Sequence, residues 1–538
     1  MYKPAKPVKN IIVGAGPAGI QLGYFFQKAG IEYIILEKAE KAGSFFDKYP
    51  HSGKLISINK KHTGSDMEDF NLRHDWNSLL SEDGPKFTDY SDDFYPDSKD
   101  LTRYLNDFAE KFKLNIKYNT TVEKIRQKDN GYIVALSDSA GKWIYSCEKL
   151  IVATGMGNPD ISDIEDTTKT IKHYADYEKD YFKDPDNLAE FNGKTILLIG
   201  NGNSSYELAN LLTPHCGSIL ILGRSEKEWA MFSHYAGDLR STYLGFHDTF
   251  LLKSLNAFDA QQAKLKIKLT DDKYTPTFIC SENCSKEHVY IGTPLGGFDS
   301  VILCTGWKFD SSIFDFELEM KGKYPKINGR FESSSYKNLF FIGSLMHSKD
   351  YKKSSGGFIH GFRYLIEYFF HINYDGKLKV NKFNSDSLED LGKHMLYKIN
   401  ISSPMYQMFG YMMDLIVYNP AKKEFTYIND VHREFLTTKA PDETLTYFTI
   451  SLEYSAAENH WWLENRRTVR DISMLGVKVS SLGKESRSTL IHPVLRAFKD
   501  KPNKTMIDEI HFDEELYAKF FSKEDYLDKM IRSLKMFI

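Results

Sequence analysis

Ile11-Ile12-Val13-Gly14-Ala15-Gly16-Pro17-Ala18-Gly19 is the stretch on which the fold turns. An apolar strand enters a glycine-rich turn and continues directly as a helix. Gly14 lets the chain turn tightly, Gly16 lets backbone approach a pyrophosphate, and Gly19 lets helix and strand pack closely. The free N–H groups at the helix start then face the phosphates. Pro17 fits there because a first helical turn has no use for its missing donor. Ile20, Leu22, Phe25, Phe26 and Ala29 give the helix an apolar stripe, and Gly30 can end it in a left-handed conformation. The next apolar run, Tyr33 to Leu36, delivers Glu37 to its tip, where a carboxylate can accept both hydroxyls of a ribose.

The same pattern returns once. Thr195–Ile199 reads as a strand, and Gly200-Asn201-Gly202-Asn203-Ser204-Ser205 repeats the glycine turn with Ser205 in the third glycine's place. A helix through Leu208, Leu211 and Leu212 stops at Pro214. The strand Ile219–Leu222 then ends at Gly223-Arg224-Ser225. Arg224 thus stands almost where Glu37 stands in the first unit, and a cation at that corner suits a 2′-phosphate. A purely structural second unit is the alternative.

Around these units lie weaker signals. Lys41 to Trp76 is polar and turn-rich, long enough to cover a ligand. Asp100 to Lys113 reads as an amphipathic helix. Thr121–Ile125, Tyr132–Leu136 and Trp143–Cys147 read as a β-meander, and Lys149 to Gly155 as a separate buried strand ending in a small-residue turn. Val301 to Trp307 echoes that strand and turn. The two echoes flank the second unit, which suggests an insertion with chain crossings at both. Ser355 to Phe358 opens an apolar helix whose glycine-lined start can face an electron-rich ring. Met405 to Tyr418, broken by Gly410 and Asp414, reads as a core helix.

The expected fold is α/β: two Rossmann-like dinucleotide-binding domains, the second inserted in the first, with β-meanders and a mainly helical or mixed C-terminal extension. The expected segments are 1–165, 166–295, 296–375 and 376–538. With 538 residues, 41% apolar and 27% charged content, the chain has the composition of a soluble protein of several domains. A formal charge of −3 without a basic stretch argues against nucleic acid as a partner. No apolar run reaches membrane-spanning length, and Met1 to Lys9 has no apolar signal core, so a cytoplasmic location is expected. The five cysteines are scattered; Cys280 and Cys284 have the spacing of neither a redox pair nor half a zinc site, and no metal is expected.

With two nucleotide units, paired Ala/Cys-Thr-Gly turns and Phe341-Ile342-Gly343-Ser344, the chain resembles the flavin-containing monooxygenase-like FAD/NAD(P)H-dependent oxidoreductases. It looks closest to the group containing the endoplasmic-reticulum flavoprotein associated with degradation. The closer match is carried by Leu55 to Lys60, Phe70 to Leu79, Gly356 to Arg363 and Tyr406 to Gly410. The resemblance implies FAD on Gly14, Gly16, Gly19 and Glu37, with Val122 touching adenine through its backbone. Pro17, Ala18, Lys38, Phe45, Thr154 and Gly155 are expected beside the same cofactor, as are Gly343, Ser344 and Phe358. It implies NADPH on Gly200, Gly202, Asn203, Ser204, Ser205, Arg224 and Ser225. Asn59 matches the asparagine near the flavin in the monooxygenases and is the expected catalytic residue. Two departures stand out: Ala42-Gly43-Ser44-Phe45 replaces the usual Gly-Gly before an aromatic, and only His173 and Tyr177 remain of the monooxygenase fingerprint, with Thr167 and Lys169 in place of its Phe and Gly.

FAD and NADPH together mean hydride transfer to the flavin. A monooxygenase acting through a C4a-(hydro)peroxyflavin on a small molecule with O2 is the expected outcome, with the Asn59 amide as a donor to the peroxide. A flavin reductase or oxidase, a thiol-linked reductase and a flavin-bound protein scaffold are the alternatives, and homo-oligomerisation stays open. His74, Asp75 and Trp76 are candidates for a substrate pocket, against a turn capped by Asp75. His360 and Arg363 are candidates for holding a substrate carboxylate or flavin carbonyl, against packing at a helix start. His460-Trp461-Trp462 is read as core.

Overall fold

The computed structural model describes residues 2–161, 164–166, 170–224, 227–253, 257–261, 265–270, 272–278, 288–289, 297–435, 442, 444–454, 491–499, 506–512, 526–536 and 538. They form two compact units, Met1–Asn59 with Glu82–Lys326 and Lys337–Leu339, and Lys60–Ser81 with Ile327–Tyr336 and Phe340–Ile538.

In the first unit, β1 (Val8–Val13), α1 (Pro17–Ala29) and β2 (Tyr33–Leu36) make the expected βαβ start. Gly30 closes α1 in the left-handed region at φ 66°, and Ile20, Leu22 and Phe26 are wholly buried, while Ala29 lies on the exposed end. α2 (Ser98–Lys111) buries Leu101, Tyr104, Leu105 and Phe108. The meander is β3 (Thr121–Lys128), β4 (Gly131–Asp138) and β5 (Gly141–Val152). The two runs expected as separate strands around Cys147 are one twelve-residue strand. Its first half pairs antiparallel with β4, and its second half runs parallel to β1, Val152 opposite Val13. Ile11, Ile12, Ile35, Leu150 and Ile151 are fully buried, as expected of parallel strands covered on both faces.

The second sheet is parallel throughout, ordered Lys172–His173, β8 (Ser300–Leu303), β6 (Thr195–Ile199), β7 (Ser218–Gly223) and Ala257–Gln261, with α3 (Asn203–Leu212) after β6. The Val301–Gly306 echo is therefore not the return to the first sheet. It closes the second one, and the return begins at Trp307–Lys308, which pairs with Asn158–Pro159. The echo arises because both sheets need a strand whose small-residue end packs on a glycine turn.

In the second unit, α4 (Ile359–Phe370) follows a glycine-rich turn. β9 (Val380–Asn384), α5 (Leu388–Ile401), the short α6 (Ser403–Gln407), β10 (Met412–Asn419), β11 (Glu424–His432), β12 (Thr446–Glu453), β13 (His492–Lys499), β14 (Met506–His511) and α7 (Asp528–Lys535) complete it. The sheet is antiparallel, ordered β9-β11-β10-β12-β13-β14. Leu391 and Met395 of α5 and Met530 and Leu534 of α7 share a core with Ile416, Tyr427, Phe448 and Leu495 of the sheet. Met405 to Tyr418 is thus not one helix. Gly410, at φ 70°, ends the helical turn, and the apolar run after it is an interior strand paired on both sides. Such a strand has no alternation to distinguish it from a buried helix. No helix among the described residues is long and apolar enough to cross a membrane.

Candidate dinucleotide sites

The first glycine turn has three glycines with three different neighbourhoods. Gly14 sits at φ 105°, and a Cβ there would lie 2.8 Å from the Ala153 carbonyl oxygen. A Cβ on Gly19 would collide with the Gly14 carbonyl oxygen. Gly16 differs: it caps α1 in an extended conformation, and a Cβ would meet nothing within 4 Å. Its backbone is open to a ligand at the positive end of α1, with Pro17 at the first helical position and Ala18 buried beneath. Thr154 and Gly155 follow Ala153, whose N–H donates to the Val13 carbonyl, so that turn lies over Gly14.

Glu37 is buried, and its two oxygens accept the N–H groups of Ala15 (2.7 Å) and Ala39 (2.9 Å). Each oxygen keeps a second lone pair for a ribose hydroxyl. The Thr120 N–H donates to the Glu37 carbonyl at 2.8 Å, which brings β3 and Val122 to the tip of β2. Lys38 is exposed beside them. Phe45 keeps 49% of its surface exposed, with its ring 6.1 Å from that of Trp307.

The second turn repeats the first at its first two glycines. Gly200 sits at φ 113° with its would-be Cβ against the Cys304 carbonyl, as Gly14 sits against Ala153. Gly202, like Gly16, faces open space at the cap of its helix. Ser205 takes the place of Gly19, and its hydroxyl donates to the Gly200 carbonyl. A hydrogen bond thus replaces a bare close approach. Asn203 is turned inward: its amide donates to the carbonyls of Gly237 (3.3 Å) and Asp238 (3.0 Å) and accepts the Arg240 N–H (3.0 Å). Its side chain fastens a loop, and only its backbone remains for a phosphate; Ser204 beside it is half-buried. The N–H groups of Gly14 and Gly200 donate to Leu36 and Leu222, which makes Gly223 the counterpart of Glu37. The acid's place is held by a glycine, and the exposed Arg224 comes one residue later. Ser225 lies outside the described residues.

Asn59 departs from expectation. It is buried, and its NH2 donates to the carbonyls of Ser91 (2.7 Å) and Asp93 (3.2 Å), while Oδ1 has no partner among the described residues. Two carbonyls fix the amide's orientation, since the reverse would set oxygen against oxygen. Asn59 can therefore accept a hydrogen bond but cannot donate one to a peroxide.

Glu207, on α3 two residues after Ser205, escaped the sequence. Its carboxylate accepts the Ser52 N–H (2.6 Å) and the Tyr174 hydroxyl (3.0 Å), and that hydroxyl accepts the His51 N–H (3.0 Å). Burial pushes the carboxyl up to about 7. The available signal was an acid between Tyr206 and Leu208 on an apolar helix face. His173, the remnant of the fingerprint, is buried, and its Nδ1 accepts the Ala175 N–H at 3.0 Å.

The other candidates lie in the second unit. Asp75 is the turn cap: Oδ1 accepts the N–H groups of Asn77 (3.0 Å) and Ser78 (2.9 Å), and Oδ2 the Ser78 hydroxyl. Arg363 is wholly buried and donates to the carbonyls of Asp75, Ser78 and Leu72 at 2.7–3.0 Å. Both Asp75 oxygens and both terminal nitrogens of Arg363 are thus engaged, and among the described residues Arg363 Nε has no partner. Burial, then Lys60 and Arg73, pushes His74 down to about 4. Trp76 stacks on His360 at 4.1 Å, and Phe358 stacks on His360 from 5.8 Å. Gly343 opens a short helical turn at φ 73°, with Ser344 half-buried after it. Gly356 and Gly357 do not line an open cradle: their Cβ positions fall on Asp350 and 2.7 Å from the His347 ring. His347 Nδ1 and Asp350 Oδ1 form a buried 2.9 Å pair, and Asp350 Oδ2 accepts the Gly356 N–H at 2.7 Å. Cys280, Cys284, Thr167, Lys169 and His460 to Trp462 lie outside the described residues. Among the described residues no cluster of three or more His, Cys, Asp or Glu could hold a metal.

Two glycine turns built alike, each capping a helix with backbone open to a ligand, define a flavoprotein-type oxidoreductase with two dinucleotide modules. The chain belongs to the pyridine nucleotide-disulphide oxidoreductase family, whose model matches residues 11–343, and is an FAD-dependent oxidoreductase of that family. It is 34% identical over 523 residues to the FAD-dependent oxidoreductase domain-containing protein 2 of Mus musculus, covering 91% of this chain and 76% of that protein. It is 25% identical over 225 residues to the probable indole-3-pyruvate monooxygenase YUCCA8 of Arabidopsis thaliana, covering 40% of this chain and 47% of that one. DfoA, the FAD-bound cadaverine monooxygenase of Erwinia amylovora, shares the fold with a TM-score of 0.50 at 12% identity, covering 68% of this chain and 94% of its own.

Proposed function

We propose that the chain oxidises NADPH through bound FAD and passes oxygen from O2 to a small molecule, as a single-component monooxygenase. The observation that carries the nucleotide assignment is the contrast between two otherwise matching corners: a buried Glu37 after β2, and Gly223 with an exposed Arg224 after β7. The carboxylate suits a free ribose and the guanidinium a 2′-phosphate. Gly16 and Gly202 supply unhindered backbone to the pyrophosphates, and the helix starts behind them supply N–H groups. When bound, FAD supplies hydride acceptance and oxygen activation. The chain's own part is to orient and to exclude water. Asn59 Oδ1 accepts a hydrogen bond from a donor on cofactor or substrate, and the Phe45–Trp307 aromatic pair offers a wall for a ring. A thiol route is disfavoured by the described cysteines. Burial pushes Cys147 and Cys304 up to about 12 and raises Cys216, which keeps all three as poor nucleophiles.

Arg224→Ala tests the assignment. A charge-assisted guanidinium–phosphate contact is worth roughly 1.5–3 kcal/mol, so NADPH affinity should fall about ten- to a hundred-fold. NADH affinity should stay nearly unchanged in fluorescence titration. Equal losses for both nucleotides would show that Arg224 does not read the phosphate.

A further inference from the structure

Asn59 is only 2% exposed, and its amide cannot turn over, because the carbonyls of Ser91 and Asp93 hold its NH2. The same segment holds its backbone. The Asn59 N–H donates to the Phe94 carbonyl at 2.9 Å, and the Leu55 N–H to the Pro96 carbonyl at 2.8 Å. Oδ1 is left without a partner among the described residues. A buried acceptor left unmade costs more than its bond gains when made, so this oxygen calls for a donor.

The segment that aims Asn59 is itself fastened to the second nucleotide module. Tyr95, between Phe94 and Pro96, is half-buried, and its hydroxyl is hydrogen-bonded to the Arg240 side chain. The Arg240 N–H donates to Asn203 Oδ1 at 3.0 Å, and Asn203 also holds the carbonyls of Gly237 and Asp238. Asn203 is the first residue of α3, directly after Gly202, whose backbone is open to a ligand. From that open turn to Asn59 the links are Asn203, Arg240, Tyr95 and Phe94, each joined by a hydrogen bond or a peptide bond. All of them belong to the first unit.

A nucleotide with its pyrophosphate on Gly202 and its 2′-phosphate at Arg224 has its nicotinamide end left to place. That end offers ribose hydroxyls and a carboxamide. A hydroxyl donates and accepts, whereas an amide NH2 only donates. Asn59 presents an acceptor alone, which suits the NH2. We propose that Asn59 Oδ1 accepts a hydrogen bond from the carboxamide NH2 of the nicotinamide and so selects an intact nicotinamide, with Tyr95 and Arg240 as positioning residues. The proposal rests on the assignment of NADPH to the second turn.

The test needs no turnover. Three probes are titrated by calorimetry against the full chain as purified. They are NADP+, its 3-acetylpyridine analogue, which carries a methyl ketone in place of the carboxamide, and adenosine 2′,5′-bisphosphate, which has no nicotinamide. The wild type should bind NADP+ about ten-fold more tightly than the analogue. Asn59→Ala should bring the two to equal affinity by weakening NADP+ alone. Tyr95→Phe keeps the ring and removes the bond to Arg240, and it should narrow the preference to roughly two- to three-fold. Both variants should bind the bisphosphate as the wild type does. A wild type that binds NADP+ and the analogue equally overturns the proposal and leaves the NADPH assignment standing; one that binds none of the three overturns both. A preference that survives in Asn59→Ala overturns it too, and loss of FAD from that variant would then assign Oδ1 to the flavin. Losses spread over all three probes would make Asn59 and Tyr95 supports of the turn and overturn it as well.

Discussion

Gly16 and Gly19 look alike in the motif and do opposite things. Gly19 lies against the Gly14 carbonyl, so even Gly19→Ala forces α1 away from the turn; overpacking of this kind costs about 1–3 kcal/mol or more. Gly16 has open space above it and an ordinary extended backbone. Gly16→Val should therefore fold with a near-normal unfolding midpoint and lose most of its flavin, as read by absorbance after purification. Gly19→Ala should lose both. A Gly16→Val protein with full flavin content would remove Gly16 from the FAD site. Ser205 shows how the second module avoids the same collision, with a hydroxyl bonded to Gly200 where the first has only hydrogen.

α3 has a second task besides presenting its first turn to a phosphate. Through Glu207 it holds the Ser52 N–H, and through Tyr174 it holds His51, so the loop after Phe45 is pinned to the second module's helix. Tyr49 of the same loop belongs to that module's core with Tyr174, Tyr206 and Leu198. Burial raises the Glu207 carboxyl from near 4.5 to about 7. Below 4.5 both folded and unfolded chains hold the proton, and Glu207 adds no pH dependence. Between 4.5 and 7 only the folded chain holds it, so stability falls as pH rises through that window and levels off above it. The loss is at most about 3 kcal/mol. Urea midpoints measured from pH 5 to 8 should therefore decline less in Glu207→Gln than in wild type. Parallel curves would mean that Glu207 does not titrate in the native state.

Taken as one chain, the protein carries a family name that includes disulphide chemistry, yet Cys147 and Cys304 are buried and hard to ionise, and Cys216 is half-buried. Replacing all five cysteines should leave oxygen-dependent NADPH oxidation in place, measured by oxygen uptake against NADPH absorbance. Turnover that dies and returns when Cys280 and Cys284 are restored would show that electrons leave through thiols.

Local chemistry made both nucleotide modules legible before any coordinates. A glycine turn between strand and helix has few physical solutions, and its requirements fall on adjacent residues such as Gly14, Gly19 and Gly200. The meander and α2 were legible for the same reason, since alternation and helical spacing are short-range patterns. Long-range pairing decided the rest. Whether Val301 to Gly306 closes the second sheet or returns to the first depends on which strand accepts its hydrogen bonds, here β6. Met405 to Tyr418 became a turn of helix and a strand because two neighbouring strands pair with both edges of β10. Arg363 and Asp75, read as substrate candidates, and Asn203, read as a cofactor contact, sit in suggestive motifs, but backbone carbonyls and N–H groups engage their side chains, and only the folded chain shows which groups those are.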